Sequence, residues 1–132
     1  MRVDTIAGGT DNDQRIRALI AAARQNMQQG RAQEAAQLLR QAEVESPRHP
    51  LVLNERALRM LKTGNFAGAA ALLEQAVEAD PLNPEIWFNL GDARRKLNRV
   101  DAAVEALDRS LAINPRNVTA FANSAKRLVT WD

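Results

Sequence analysis

The side chains that could carry out covalent, acid-base or metal chemistry are few and scattered. His49 is the single histidine and stands directly before Pro50, where an imidazole serves as a helix cap or a solvated ring. One histidine without any cysteine cannot assemble a typical zinc site. The absence of cysteine also removes disulfides and thiolate nucleophiles. Ser46, Ser110 and Ser124 have no base at a recognisable spacing. The glycine pair in "AGGT", from Ala7, has no preceding strand and no following phosphate-binding lysine, so it reads as a flexible segment and not as a phosphate cradle. Glu43 and Glu45 read as the ordinary charges of an exposed helix end. No catalytic residue, no metal site and no cofactor is expected.

Charge narrows the field further. The formal net charge is +2 while the isoelectric point is about 9.7. With no Tyr, no Cys, and Arg making up most of the 18 cations, almost nothing releases protons between neutrality and strongly basic pH, so a small positive excess carries the isoelectric point far upward. Those cations are interleaved with 16 anions and give no large uniform field, which reads against nucleic acid as a partner. The apolar run from Ala18 to Ala23 falls far short of the roughly 18 residues that cross a bilayer. The start, "MRVDTIAGGTDND", has no apolar core and carries three Asp, so it reads neither as a signal nor as a transit peptide. A cytoplasmic protein with a flexible tail over residues 1–15 is expected, with no membrane partner.

What must position any functional side chain is a repeat. Pro47, Pro81 and Pro115 are each 34 residues apart, as are Pro50 and Pro84. The same step aligns Ala35 with Ala69 and Ala103, Leu39 with Leu73 and Leu107, and Gly30 with Gly64 and Asn98. Each unit divides into two helices. In the third unit Asn83 can cap, Pro84 takes the first helical position where its missing N–H costs nothing, and Glu85 complements the helix dipole. Gly30, Gly64 and Asn98 stand where a residue of positive φ ends the first helix, a conformation that Gly and Asn tolerate best. A second helix follows, with Val100, Ala103, Val104, Leu107 and Leu111 on one stripe.

Trp87, Leu90, Gly91, Ala103, Leu107 and Pro115 together resemble the 34-residue pattern of the tetratricopeptide repeat. The resemblance covers residues 16–49, 50–83 and 84–117 as three units, with 118–132 as a C-terminal capping helix or the first helix of a further repeat. It implies an all-α fold: a right-handed superhelical α-solenoid of antiparallel helix pairs. Trp87, with Leu90 and Gly91, then reads as a packing wedge, the small Gly91 letting one helix approach the next. The column that is usually aromatic in this family holds Asn26, Met60 and Arg94, a departure from the pattern.

The resemblance also implies a function. The first helices of such arrays line a concave groove that holds a peptide or a partner segment. The matching positions here predict a groove containing Arg24, Asn54, Leu58, Glu85, Phe88, Asn89, Asp92, Lys96, Asn123 and Lys126. Ile20, Leu51, Leu58 and Phe88 are expected to give it an apolar centre. Its candidate occupants are a partner peptide, a second copy of the chain, or its own tail through Val3 and Ile6. Asn89 and Asn123 share a column and suggest a ladder of amides gripping a peptide backbone, interrupted at Ala21 and Glu55. The cationic clamp with which the chaperone-adaptor subgroup holds a C-terminal carboxylate has Ile20, Arg24, Glu55, Glu85 and Asn89 at its positions, and the two carboxylates there read against a chaperone tail. The leading expectation is a non-catalytic protein-protein interaction scaffold. The alternative is the recruiting or oligomerising module of a larger enzyme, such as a hydroxylase, sulfotransferase or glycosyltransferase, in which Trp131 packs on further sequence.

Overall fold

The computed structural model describes residues 2–115, with side chains described from residue 11 onward. Six helices follow in order: α1 (Arg2–Gln28), α2 (Ala32–Glu45), α3 (Pro50–Lys62), α4 (Phe66–Ala79), α5 (Pro84–Lys96) and α6 (Val100–Ile113). Among the described residues there is no strand. The chain is all-α and built of helix pairs. It divides into two compact units, the first ending at Val52 and the second beginning at Leu53, within α3.

The prolines act as their spacing predicts. Pro50 opens α3 and Pro84 opens α5. Ahead of α5 the Asn83 side chain accepts the Glu85 and Ile86 amides, satisfying two N–H groups that have no partner inside the helix. The three turns within helix pairs share one geometry. Gly30, Gly64 and Asn98 all have positive φ, at 78°, 86° and 61°. In each turn the amide of the following residue reaches back to a carbonyl five residues earlier: Arg31 to Asn26, Asn65 to Met60 and Arg99 to Arg94, all at 2.8–2.9 Å. This doubly bonded ending uses up the last carbonyls of the helix and reverses the chain within three residues.

In the first unit α1 and α2 pack through Ile16, Ile20, Ala23, Ala35, Leu39 and Ala42, with Val52 closing the cluster. Ile20 is 3% exposed. The sequence reading that set it in an open groove is corrected: it shares a stripe with Ile16 and Ala23, one turn to either side, and that stripe is the core. α1 also runs back to Arg2, through the segment expected to be a flexible tail. The side chains from Asp13 explain this for the described part. Asp13 accepts from Arg17 at 2.8 Å and pairs with His49 at 2.7 Å, and Arg15 holds Glu45 of α2 through two bonds of 2.6 and 2.9 Å. Of the side chains before residue 11, Val3 and Ile6 included, nothing is described.

In the second unit Leu53, Ala57, Ala69, Ala70, Leu73, Ala76, Ile86, Leu90, Ala93 and Ala106 form one core. Alanine dominates because the helices approach closely. α5 and α6 meet closely at Gly91, where an added Cβ would stand 2.9 Å from Leu107 Cγ and 3.2 Å from the Ala103 carbonyl oxygen. The expected wedge is therefore real at Gly91. Trp87 is only partly buried, and Ile86 and Leu90 are the large side chains fully inside. The buried stripe of α6 is Ala103, Ala106, Leu107 and Ser110, whereas Val100 is exposed. On that buried stripe the Ser110 hydroxyl donates to the Pro84 carbonyl at 2.8 Å, tying this face of α6 to the start of α5. Arg94, in the column expected to be aromatic, donates to the Ala102 carbonyl at 3.0 Å and lies 3.7 Å from Glu74 and 3.9 Å from Glu105. Its aliphatic stem occupies the space of an aromatic ring while its head ties α5 to α4 and α6.

Candidate functional site

The α3 and α5 helices of the second unit bring six of the expected groove residues together. Asn54 and Leu58 are one turn apart on α3; Glu85, Phe88, Asn89 and Asp92 follow one face of α5 at spacings of three and four. At their junction lies a chain of polar side chains. Asn89 Nδ2 donates to Asn54 Oδ1 at 2.9 Å, and Asn54 Nδ2 donates to Glu85 Oε2 at 3.0 Å. Asn54 is fully buried and Asn89 is 6% exposed. Burying two amides is costly unless they are bonded. The chain meets that requirement: among the described residues no buried side-chain nitrogen or oxygen lacks a partner.

This arrangement changes the roles read from sequence. Asn54 is not a surface contact but a buried linker that sets the orientation of the Asn89 amide and the Glu85 carboxylate. Asn89 donates to Asn54 on α3, a bond between helices that the reading of an amide ladder did not include. The other ladder position, Asn123, and the groove position Lys126 lie outside the described residues, as do the capping segment and Trp131. The departure has a sequence signal. Asn54 and Asn89 are 35 residues apart, one more than the period, so they occupy adjacent columns whose side chains meet across the α3–α5 contact.

Leu58 and Phe88 are half-buried beside this chain. They present apolar surface at the edge of a fixed polar group, an arrangement suited to recognition. Asp92 accepts from Arg95 at 2.6 Å and lies 3.9 Å from Lys96. Lys96 in turn places its ammonium 5.4 Å from the centre of the Phe66 ring on α4, and is thereby drawn toward the α4 side. Arg24 belongs to the first unit, on α1, and is half-buried.

His49 behaves as a cap. Its Nδ1 accepts the Leu51 amide at 3.1 Å, so the proton sits on Nε2, which donates to Asp13. The hydrogen bond from Arg17, and next that from His49, hold the Asp13 carboxyl below its usual range. Arg15, followed by Gln41, does the same for Glu45. These are bonds that fasten α1 to α2 and to the turn before α3. Among the described residues no group of His, Asp and Glu could hold a metal ion. No helix among them is long and apolar enough to cross a membrane.

Residues 54–118 match the model of the tetratricopeptide repeat family. The PEX5-related protein of Rattus norvegicus is 35% identical over 67 residues, which are 51% of this chain and 11% of that protein. The chain thus spans about a tenth of the length of the curated relatives it matches. Among solved structures, the O-GlcNAc transferase of Thermobaculum terrenum superposes with a TM-score of 0.75 at 23% identity, over 89% of this chain and 22% of that one. The first repeat domain of Spaghetti (RPAP3), bound to an HSP90 peptide, superposes with a TM-score of 0.71 at 22% identity, over 90% of this chain and 94% of that one. At these identities the structural likeness establishes the fold.

Proposed function

Since the chain carries tetratricopeptide repeats, we propose that it is a protein-protein interaction scaffold whose α3–α5 face binds a peptide segment of a partner. The observation that carries this reading is the buried Asn89–Asn54–Glu85 chain flanked by half-buried Leu58 and Phe88. The polar chain holds two helices at a fixed separation, and the two apolar side chains then offer a rigid anchor site at little entropic cost. Phe88 takes the partner's apolar side chain, and Leu58 closes the other side. Asp92, one turn beyond Phe88 on α5, supplies the polar edge.

The ligand we propose is not an anionic C-terminal tail of the kind in the HSP90-peptide complex. Of the positions that would clamp such a tail, Ile20 is buried in the first unit, and Glu55 and Glu85 carry negative charge. The share of the relatives that the chain spans also favours a second reading, in which the same face recruits partners to a longer protein, an enzyme being one case. The face and its chemistry are the same in both readings.

Peptide-display selection on the immobilised chain, followed by fluorescence anisotropy with the enriched peptides, tests the proposal. Phe88→Ala and Leu58→Glu are each expected to weaken binding about tenfold or more, the scale of losing an anchor residue. Enriched peptides that bound both variants as they bind the unaltered chain would overturn it.

A further inference from the structure

A second surface of the same unit is built from residues that the α3–α5 face does not use. Trp87 donates its indole N–H to the Pro81 carbonyl at 2.7 Å, which fixes the plane of the ring. The Arg109 guanidinium of α6 lies 5.1 Å from the centre of that ring. Pro81, Leu82, Ala112 and Ile113 complete a shallow depression around the stacked pair. Leu82 is 75% exposed, far more than a side chain of its size contributing to a core.

We propose that this depression is a docking site for an acidic peptide segment in which an aliphatic side chain stands next to a carboxylate. Arg109 leaves its ordinary partner unused. Its sequence neighbour one turn back, Glu105, offers an ordinary helical ion pair, yet Glu105 lies against Arg94 and Arg109 turns to the indole. Among the described residues the guanidinium has no hydrogen bond and no ion pair; the stack on Trp87 is its contact. The contact with the indole restrains the guanidinium near the ring, which lowers the ordering cost of gripping a carboxylate through two parallel bonds. Leu82 and Ile113 give the adjoining aliphatic side chain its apolar contact. Asp101, Glu105 and Asp108 line the neighbouring depression on α6, which Arg109 also borders, so the ligand's carboxylate reaches Arg109 from the Leu82 and Ile113 side.

The experiment is a titration of the uniformly nitrogen-15-labelled full chain with an acetylated, amidated peptide of sequence GLEDLG, followed by NMR. The signals read are the Trp87 indole N–H and the Arg109 Nε–H, assigned through Trp87→Phe and Arg109→Lys. Both are expected to shift saturably. Arg109→Gln is expected to weaken the apparent affinity about tenfold, the worth of a charge-assisted bond. Phe88→Ala is expected to leave it unchanged, which separates this surface from the α3–α5 face. The proposal is overturned if neither signal moves, if Arg109→Gln binds equally well, or if the uncharged peptide GLQNLG does. It is also overturned if inorganic phosphate alone reproduces the shifts at the same concentration, which makes the site a simple anion site. Signals that move with chain concentration in the absence of peptide would overturn it too, since the occupant would then be a second copy.

Discussion

Replacing Gly91 by Ala tests the packing that holds α5 against α6. In the interior of an exposed helix this substitution stabilises by about 1 kcal/mol, because alanine loses less backbone entropy. Here the new methyl would stand 2.9 Å from Leu107 Cγ, 3.0 Å from Leu107 Cδ2 and 3.2 Å from the Ala103 carbonyl oxygen. Leu107 is 2% exposed and its branch point is in the way as well as its tip, so turning the terminal methyl alone does not clear the space; Ala103 contributes backbone. The helices must separate or Leu107 must leave its rotamer, an overpacking cost of about 1–3 kcal/mol. Set against the helical gain, the expected result is a net loss of about 1 kcal/mol. Urea unfolding followed by far-UV circular dichroism reads it. The same substitution in a Leu107→Ala background, with a fixed concentration of TMAO keeping both backgrounds folded, has its main obstacle removed and is expected to be neutral or stabilising. The two changes should therefore couple by about 1 kcal/mol or more. A Gly91→Ala chain more stable than the original, or strictly additive changes, would refute the claim that this glycine exists for close approach.

Two further perturbations address the polar chain and the fastening of α1. Asn54→Leu strands the buried amide of Asn89 and removes a donor from Glu85, so a loss of about 1–3 kcal/mol is expected in urea unfolding; adding Asn89→Leu should cost less than the sum, and a single variant as stable as the original chain would contradict the bonding. Asp13 has its pKa lowered on folding, so it contributes stability above the usual carboxylate range, and that contribution is lost as pH falls through the depressed value. Thermal melts over a series of acidic pH values should show Asp13→Asn approaching the original chain's stability as pH drops; curves that stay parallel would show that the Arg17 and His49 bonds add nothing.

Much of the architecture was legible because it is set by single residues with few conformational options. Proline spacing placed the starts of α3 and α5, and positive φ at Gly30, Gly64 and Asn98 followed from the helix endings they occupy. Gly91 was readable as a close contact for the same reason. Exposure was less legible, since it depends on helix rotation, which neighbours decide. Ile20 faces inward with Ile16 and Ala23, and Val100 faces outward while Ala103, Ala106, Leu107 and Ser110 form the buried stripe of α6. At the candidate site the residue types were visible but their relation was not. Asn54, Glu85 and Asn89 each looked like a groove contact, and only their 2.9 and 3.0 Å bonds show that one of them serves to hold the other two. The ties of Asp13 and Arg15 were not legible, because their partners His49 and Glu45 lie about 30 residues or more away in sequence.

The most direct measurement of the central claim is NMR mapping of a display-selected peptide on the full chain. The account predicts that the backbone and side-chain signals of Leu58, Phe88 and Asn89 shift together with one saturation curve, and that the Asn54 side-chain amide moves with them through its bond to Asn89. Shifts that spared all four residues while a selected peptide was bound would contradict it, and would place recognition elsewhere on the chain.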